Sequence, residues 1–435
     1  MSEPRPASPG FRFRPWNLGR WLVWGTYALV LLGAPLAFTS SLAQTLISQA
    51  GIAIIVCLSY NLLLGEGGML SFGHAVYSGL GGFVAIHVLN LASAGALHWP
   101  VSLIPLAGGL AGLFFATLLG FVTTRRAGTT FAMITLGIGE LVWSMSLMLP
   151  EFFGGEGGVT GDRVVGKAVL GVTFGPQVQV SLLIGAWCWA CTAAMFAFTR
   201  TPLGRLLNAV RDNPERVAFI GFSPQRVRWI AFMVAGFFAG VAGGLAALNF
   251  EIVTAEVVGA PRSGAFLLFT FLGGTSAFFG PIIGGVLMVL GTVVLSQLTK
   301  AWPLYLGLAF LVMVMAAPGG IASLVLANLR LAAHGRLRAF GRLYAALAAS
   351  GAAALAGASA MIEMVYHLEL NQALGPMMRF GGLALDASHA PAWVGAAALL
   401  AAGGILFEVA RRRFRVRWDE AQVDIGRVLA RREAA

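Results

Sequence analysis

The chain has 435 residues, of which 58% are hydrophobic and only 11% charged, whereas soluble domains carry about a quarter charged residues. Several apolar runs approach the ~20 residues that cross a bilayer. The formal charge of +11 is gathered into short loops and tails, as in membrane proteins, so it gives no reason to invoke nucleic acid. This excludes a soluble enzyme and places the chain in the all-α class, as a polytopic helical membrane protein.

Residues 1 to 20 are polar and hold Arg12, Arg14 and Arg20, which predicts a cytoplasmic tail. A first span is predicted over 21–38. Ser41-Leu42-Ala43 has the look of a signal-peptidase site, but the apolar run is long for a signal peptide, so an uncleaved span is expected. A second span covers 44–64. Gly65, Gly67, Gly68, Ser71, Gly73 and His74 then follow within ten residues. Glycine this dense between apolar runs permits a sharp reversal or a helix start inside the membrane, where it faces protein or a cavity. A tight cytoplasmic turn capped by Ser71 is the plainer alternative. The Walker spacing and its lysine are missing, so this is not a phosphate loop.

A third span runs to about Leu89 and a fourth over 101–122, with Gly108 and Gly112 suited to close helix packing. Arg125 and Arg126 mark the inside. The fifth, 130–149, carries Glu140, a costly membrane carboxylate expected to face the bundle interior or a wet cavity, in a functional or a structural role. Residues 150–176 form a long outer loop with Lys167, and its run Gly154 to Gly161 reads as a flexible or tightly turned element without strand or helix. The sixth span is 178–198. Cys57, Cys188 and Cys191 all fall in apolar spans and read as packing residues.

Thr201 to Val227 is the most polar internal stretch, with six arginines in or beside it. Leu203, Leu206, Leu207 and Val210 share one helical face after Pro202. Asp212-Asn213-Pro214 breaks that helix, and a second short one runs from Glu215 towards Gly221 and Pro224. Two amphipathic helices on the inner face predict a dock for a soluble partner; a plain topology-setting basic loop is the alternative. The seventh span, 229–249, places Gly236, Gly240 and Gly244 four apart. An outer segment with Glu251, Glu256 and Arg262 is expected next. Residues 264–317 are broken by Gly273-Gly274, Gly280-Pro281 and Gly284-Gly285, and fit three short spans (264–279, 282–299, 303–317) or a re-entrant pair plus one. Arg330, Arg336, Arg338 and Arg342 mark the inside again. Two alanine-rich spans, 343–365 and 392–410, flank an outer loop, and five arginines between 411 and 417 return the C-terminus to the inside. About twelve spans result, ten in a core and two after it.

Four of these places carry a resemblance. Gly65-x-x-Gly68-x-x-Ser71-x-Gly73-His74 is similar to the glycine-serine-histidine signature of LivM-type permease subunits of branched-chain amino acid ABC importers. Thr135-Leu136 through Glu140, with the glycine-rich loop after it, resembles that family's Thr-Leu…Glu span. Pro202-x-Gly204-Arg205 through Arg211-Asp212-Asn213, then Glu215, Ala218 and Gly221, resembles its cytoplasmic loop. Gly273-Gly274…Gly280-Pro281-x-x-Gly284 resembles its late break, before Pro318-x-Gly320. Arg216 and Val217 depart from the alanines usual in the loop.

The resemblance implies a permease core over 21–325 and an added region over 326–435 outside the family pattern. It implies a translocation path or gate at Gly65, Gly68, Ser71, Gly73, His74, Glu140, Gly273, Gly274, Gly280 and Pro281. It implies ATPase docking through Gly204, Arg205, Leu206, Arg211, Glu215, Ala218 and Gly221. The partners implied are a sister permease, two ATPase subunits that hold the ATP, and an external substrate-binding protein; no cofactor or metal on this chain is expected. A secondary carrier or channel for a small polar solute such as urea or an amide is the alternative, although Glu140 has no evident charged partner in the spans. A membrane enzyme or scaffold is a third reading, and it lacks the polar clusters that chemistry needs.

Overall fold

The computed structural model describes residues 18–164, 173–317, 319–335, 337–370, 375–380 and 382–434. The expectations attached to Arg12, Arg14, Lys167, Pro318 and Arg336 lie outside them. The chain divides into two compact units, one up to Leu290 and one from Gly291.

The first unit is mainly helical, with α1 (Leu18–Ala37), α2 (Ser41–Asn61), α3 (His74–Ser93), α4 (Ile104–Thr123), α5 (Thr129–Met148), the single turn α6 (Pro150–Phe153) and α7 (Gln177–Arg200) in order. Two short helices follow, α8 (Pro202–Asp212) and α9 (Pro214–Phe219), then α10 (Pro224–Phe250), α11 (Ala260–Gly273) and α12 (Gly280–Val289). Caps stand where the sequence offers them: Ser40 for α2, Thr201 for α8, Asn213 for α9 and Ser223 for α10 each accept a first-turn N–H.

The centre of this unit is α10, packed between α3 and α4 with α2 alongside. Glycine permits that closeness. A β-carbon at Gly108 would stand 2.6 Å from Gly240 O and 3.0 Å from Gly81 O, and one at Gly244 would stand 2.9 Å from Pro105 Cα. Gly112 and Gly236 meet on the same seam. The two glycine stripes seen in the sequence are therefore the two sides of one backbone-to-backbone contact. All three cysteines are buried and unpaired.

Three expectations need correction. Among the described residues nine helices are long and apolar enough to cross a membrane, ten if the bent pair Trp302–Ala316 and Gly320–Ala333 counts as one span. Twelve is not reached, in part because 264–279 is no span: α11 has 14 residues, about 21 Å of helix. The glycine-rich outer run is neither strandless nor free of helix, since Gly155–Gly157 forms a 3-10 turn and β1 (Val159–Thr160) pairs antiparallel with β2 (Ile252–Val253). Arg262 does not lie on an outer segment. After β2 the chain turns back into the bundle because Val253, Ala255 and Val258 are buried, and Val257 and Val258 pack at Gly79 of α3. Ser263, beside Arg262, accepts from the Ala75 N–H at 3.0 Å, in the first turn of α3.

The second unit contains the turn α13 (Leu295–Leu298), α14 (Trp302–Ala316), α15 (Gly320–Ala333), and the long hairpin of α16 (Leu337–Leu370) and α17 (Ala390–Ala434). The hairpin's far end is a two-stranded ribbon, β3 (Met377–Phe380) against β4 (Leu383–Asp386). Its helices approach through Gly357, 2.7 Å from Ala396 O by the same β-carbon measure, and through Gly403, 2.8 Å from Ala354 Cα. Gly404 faces open space instead. The Glu363 carboxylate accepts from Thr299 Oγ1 at 2.5 Å and from Tyr305 OH at 3.0 Å. Phe340, Tyr344, Phe414 and Trp418 pack the other end.

Candidate coupling loop and glycine breaks

The α2 helix ends in a π turn over Leu62–Glu66, and the chain then runs without helix to His74. Gly68 has φ 63°, a left-handed conformation that suits glycine. A β-carbon at Gly65 would stand 2.7 Å from Thr275 O, so the first glycine break meets the second, between α11 and α12. In that second break Gly274 has φ 111°, Pro281 stands in the first turn of α12, and a β-carbon at Gly273 would be 2.6 Å from Gly284 N. Gly280 closes on Gly273 and Gly274. Gly65, Gly273, Gly274, Gly280 and Pro281 are thus one locus.

Ser71 and His74 are both fully buried. The Ser59 hydroxyl donates to Ala235 O at 2.9 Å. It has one proton, so it accepts from His74 Nε2–H at 2.7 Å. This leaves His74 Nδ1 a bare lone pair, and His74 Nδ1, Ser71 Oγ and Asn61 Oδ1 are buried without a hydrogen-bond partner. Tyr60 OH donates to Ser71 O at 2.8 Å, and the Phe72 N–H to Thr135 Oγ1 at 3.1 Å. Gly73 lies against the Thr135 carbonyl of α5. These groups face protein inside this chain, away from any lipid surface. Glu140 is not in the interior of this chain: it is exposed on α5, which leaves the wet cavity of the two expected settings.

On the basic end, α8 buries Leu207 and Val210 and half-buries Leu203 and Leu206. Gly204 is buried because Thr199 Cα leaves no room, 2.8 Å from where a β-carbon would stand. Arg205, Arg211, Glu215, Ala218 and Gly221 are exposed. Arg211 also reaches back, donating from Nη1 to the Gly65 carbonyl and from Nε to Asp212 Oδ1 at 3.0 Å. This contact links the two-helix loop to the glycine breaks, and it was not foreseen from the sequence. A second unforeseen feature is apolar. Phe219, Ile220 and Phe222 are 89%, 64% and 51% exposed, in a turn where Gly221 has φ 91°. The signal was available as three large apolar residues in four positions of a polar stretch.

These elements define a multi-pass helical permease with a built protrusion on its basic end. Residues 42–318 match the model of the family described as branched-chain amino acid transport system / permease component. The chain belongs to that family. The high-affinity branched-chain amino acid transport system permease protein LivM of Salmonella typhimurium is 28% identical over 305 residues, covering 64% of this chain and 70% of that protein. The protein of the same name from Escherichia coli gives the same identity and coverage, 28%, 64% and 70%. The fructose import permease protein FruF of Bifidobacterium longum is 25% identical over 288 residues, 63% of this chain and 77% of that one. No solved structure matches. The chain is accordingly an ABC-importer permease subunit, and its family membership implies work with other components of such a transporter.

Proposed function

We propose that this permease carries branched-chain amino acids or related small amphipathic solutes inward across the inner membrane. A sister permease supplies the other wall of the path. Two ATPase subunits bind and hydrolyse the ATP, dock on the protrusion of α8 and α9, and this chain holds no cofactor. An external binding protein delivers the solute to the opposite end. Both termini and the basic end are cytoplasmic, in keeping with the placement of arginine.

The observation that carries the reading is the protrusion. Its two capped helices bury one face and leave Phe219, Ile220 and Phe222 in water. Exposed aromatic residues rimmed by charge mark a protein contact. Through Arg211 and Gly65 a movement of that protrusion reaches the glycine breaks. Glu140, Ser71, Gly73 and His74 stand near the path or its gate in this reading.

The test is purification of the complex and uptake of labelled L-leucine into vesicles. Co-purification of two ATPase subunits and a second permease, with ATP-dependent uptake, is expected. Arg205→Glu combined with Gly221→Trp should abolish uptake while the chain still inserts. Undiminished uptake with normal ATPase association sinks the docking assignment.

A further inference from the structure

Two opposite charges keep accessible surface at one depth of the first unit, Glu140 in the open and Arg262 set among closely packed protein atoms, and neither has a hydrogen bond or ion pair among the described residues. Glu140 lies 11 residues after Thr129 and 8 before Met148, about 16 Å and 12 Å from the two ends of α5. It belongs to a stripe of exposed positions on α5, namely Met133, Gly137, Glu140, Ser144 and Met148. Arg262 is exposed in the first turn of α11, and its guanidinium rests 5.6 Å from the centre of the Phe266 ring.

The shared depth follows from their chain neighbours. A β-carbon at Gly139 would lie 3.7 Å from Gly73 Cα, and Ser263 binds the N–H of Ala75. Both residues therefore sit against the same three positions that open α3. Ala75 is about 22 Å along α3 from Asn90, whose amide donates to Thr160 O in the outer loop. The α5 and α11 elements touch, and a β-carbon at Gly259 would lie 3.8 Å from Trp143 Cδ1, one turn beyond Glu140. Next to each charge the backbone is bare: Gly137 and Gly264 have open space where a side chain would stand.

A carboxylate and a guanidinium on the surface of a membrane helix bundle are costly in lipid. Their signs and common level match the two charged groups of one zwitterion. We infer that Glu140 and Arg262 form the solute site of this subunit, with Glu140 taking the ammonium and Arg262 the carboxylate of an α-amino acid. The start of α11, a half-length helix, adds its positive end to the carboxylate side. Gly137 and Gly264 leave room for the aliphatic side chain. This rests on the amino-acid reading above. Glu256 is also exposed, but its turn is level with Gly79 through Val257 and Val258, one turn of α3 farther out, so it serves as the comparator.

The experiment uses the whole transporter, purified with its partners and reconstituted, and L-leucine as the probe. Glu140→Gln and Arg262→Gln should each lower uptake by about tenfold or more, as loss of a hydrogen bond to a charged group does, while the complex still assembles. Glu256→Gln should stay within about twofold of wild type. Gly137→Trp, placed in open space, should block uptake without loss of assembly. Glu140→Cys should react with a water-soluble methanethiosulfonate. L-leucine should slow that reaction, and 4-methylpentanoate or isoamylamine, each lacking one charge, should not. If wild type takes up leucine while the Gln variants retain uptake, or Glu140→Cys stays unreactive or unprotected, this assignment fails alone. If wild type takes up no amino acid, the reading beneath it fails and the assignment with it.

Discussion

Arg163 shows how much one side chain holds at the outer end of the first unit. Its guanidinium donates to Phe174 O at 2.8 Å, Asn249 O at 3.2 Å, Gly175 O at 3.2 Å and Leu248 O at 3.3 Å. Two of those carbonyls belong to the last turn of α10, where a cation is favoured. Arg163→Ala should lower stability by about 2 kcal/mol or more, read as a fall in the unfolding temperature of the solubilised protein. Arg163→Lys should recover little of it, because one ammonium does not reproduce the planar fork. A second residue-scale expectation concerns pH. The Ser388 hydroxyl and N–H, and then His389, hold the Asp386 carboxyl below the usual aspartate range. A lowered carboxylate stabilises at pH above its ordinary value and loses that effect as pH falls through the lowered one. Protection of the amides in the turn after β4, measured as the exchange rate relative to the intrinsic rate at each pH, should hold from neutral pH down to about pH 4 and fall below it, and Asp386→Asn should remove that step. Neither residue stood out in the sequence, because the partners of Asp386 are turn atoms and those of Arg163, carbonyls together with Gln177 and Glu251, are brought to it by the fold and by no residue pattern.

At the scale of elements, what the sequence made legible was local. The α8 and α9 pair, its caps and its breaks follow from Pro202, Asn213, Pro214 and the leucine spacing, all within one stretch. The glycine stripes were visible as Gly108 with Gly112 and Gly236 with Gly240, although which helix met which was not. What escaped was decided by contacts distant in sequence. An apolar count could not distinguish α11 from a full span, because its start is set by Ser263 on Ala75 and by Val258 in the space left at Gly79. Glu140 was recognised as unusual, but its outward direction depends on which side of α5 meets Gly73. The apolar tip of the protrusion yields the prediction for this scale. Phe219→Ser with Ile220→Ser touches side chains that are mostly uncovered in this chain, so insertion and unfolding temperature should change little. ATP-driven uptake should fall by about tenfold or more, the loss of a contact of roughly 1.4 kcal/mol or above. Full uptake with full ATPase retention would mean that the tip is no contact.

For the whole molecule, the family match and the compact units divide the chain at different places. The match ends at residue 318, the first compact unit ends at Leu290, and the sequence pattern predicts a boundary at 325. The π turn over Leu290–Val294 continues α12 into α13 without a break, so no linker marks the unit boundary. The division most relevant to transport is therefore the end of the match. Beyond it α16 and α17 form a hairpin sealed by its own contacts: Gly357 and Gly403 against the facing backbone, the Phe340, Phe414 and Trp418 cluster at one end, and Met364, Phe380 and Trp393 at the other. A hairpin that satisfies itself this way is expected to be separable. The cut should fall after Gly335 and not at the 325/326 boundary read from the sequence, which lies inside α15 (Gly320–Ala333) and would leave a partial helix. The shortened chain loses the contact that buries Leu331 and the hydrogen bonds of Glu363 with Thr299 and Tyr305, so its unfolding temperature should drop. Its ATP-driven uptake, measured per assembled complex, should match that of the full chain. Loss of uptake from a stably assembled complex would instead give the hairpin a part in transport.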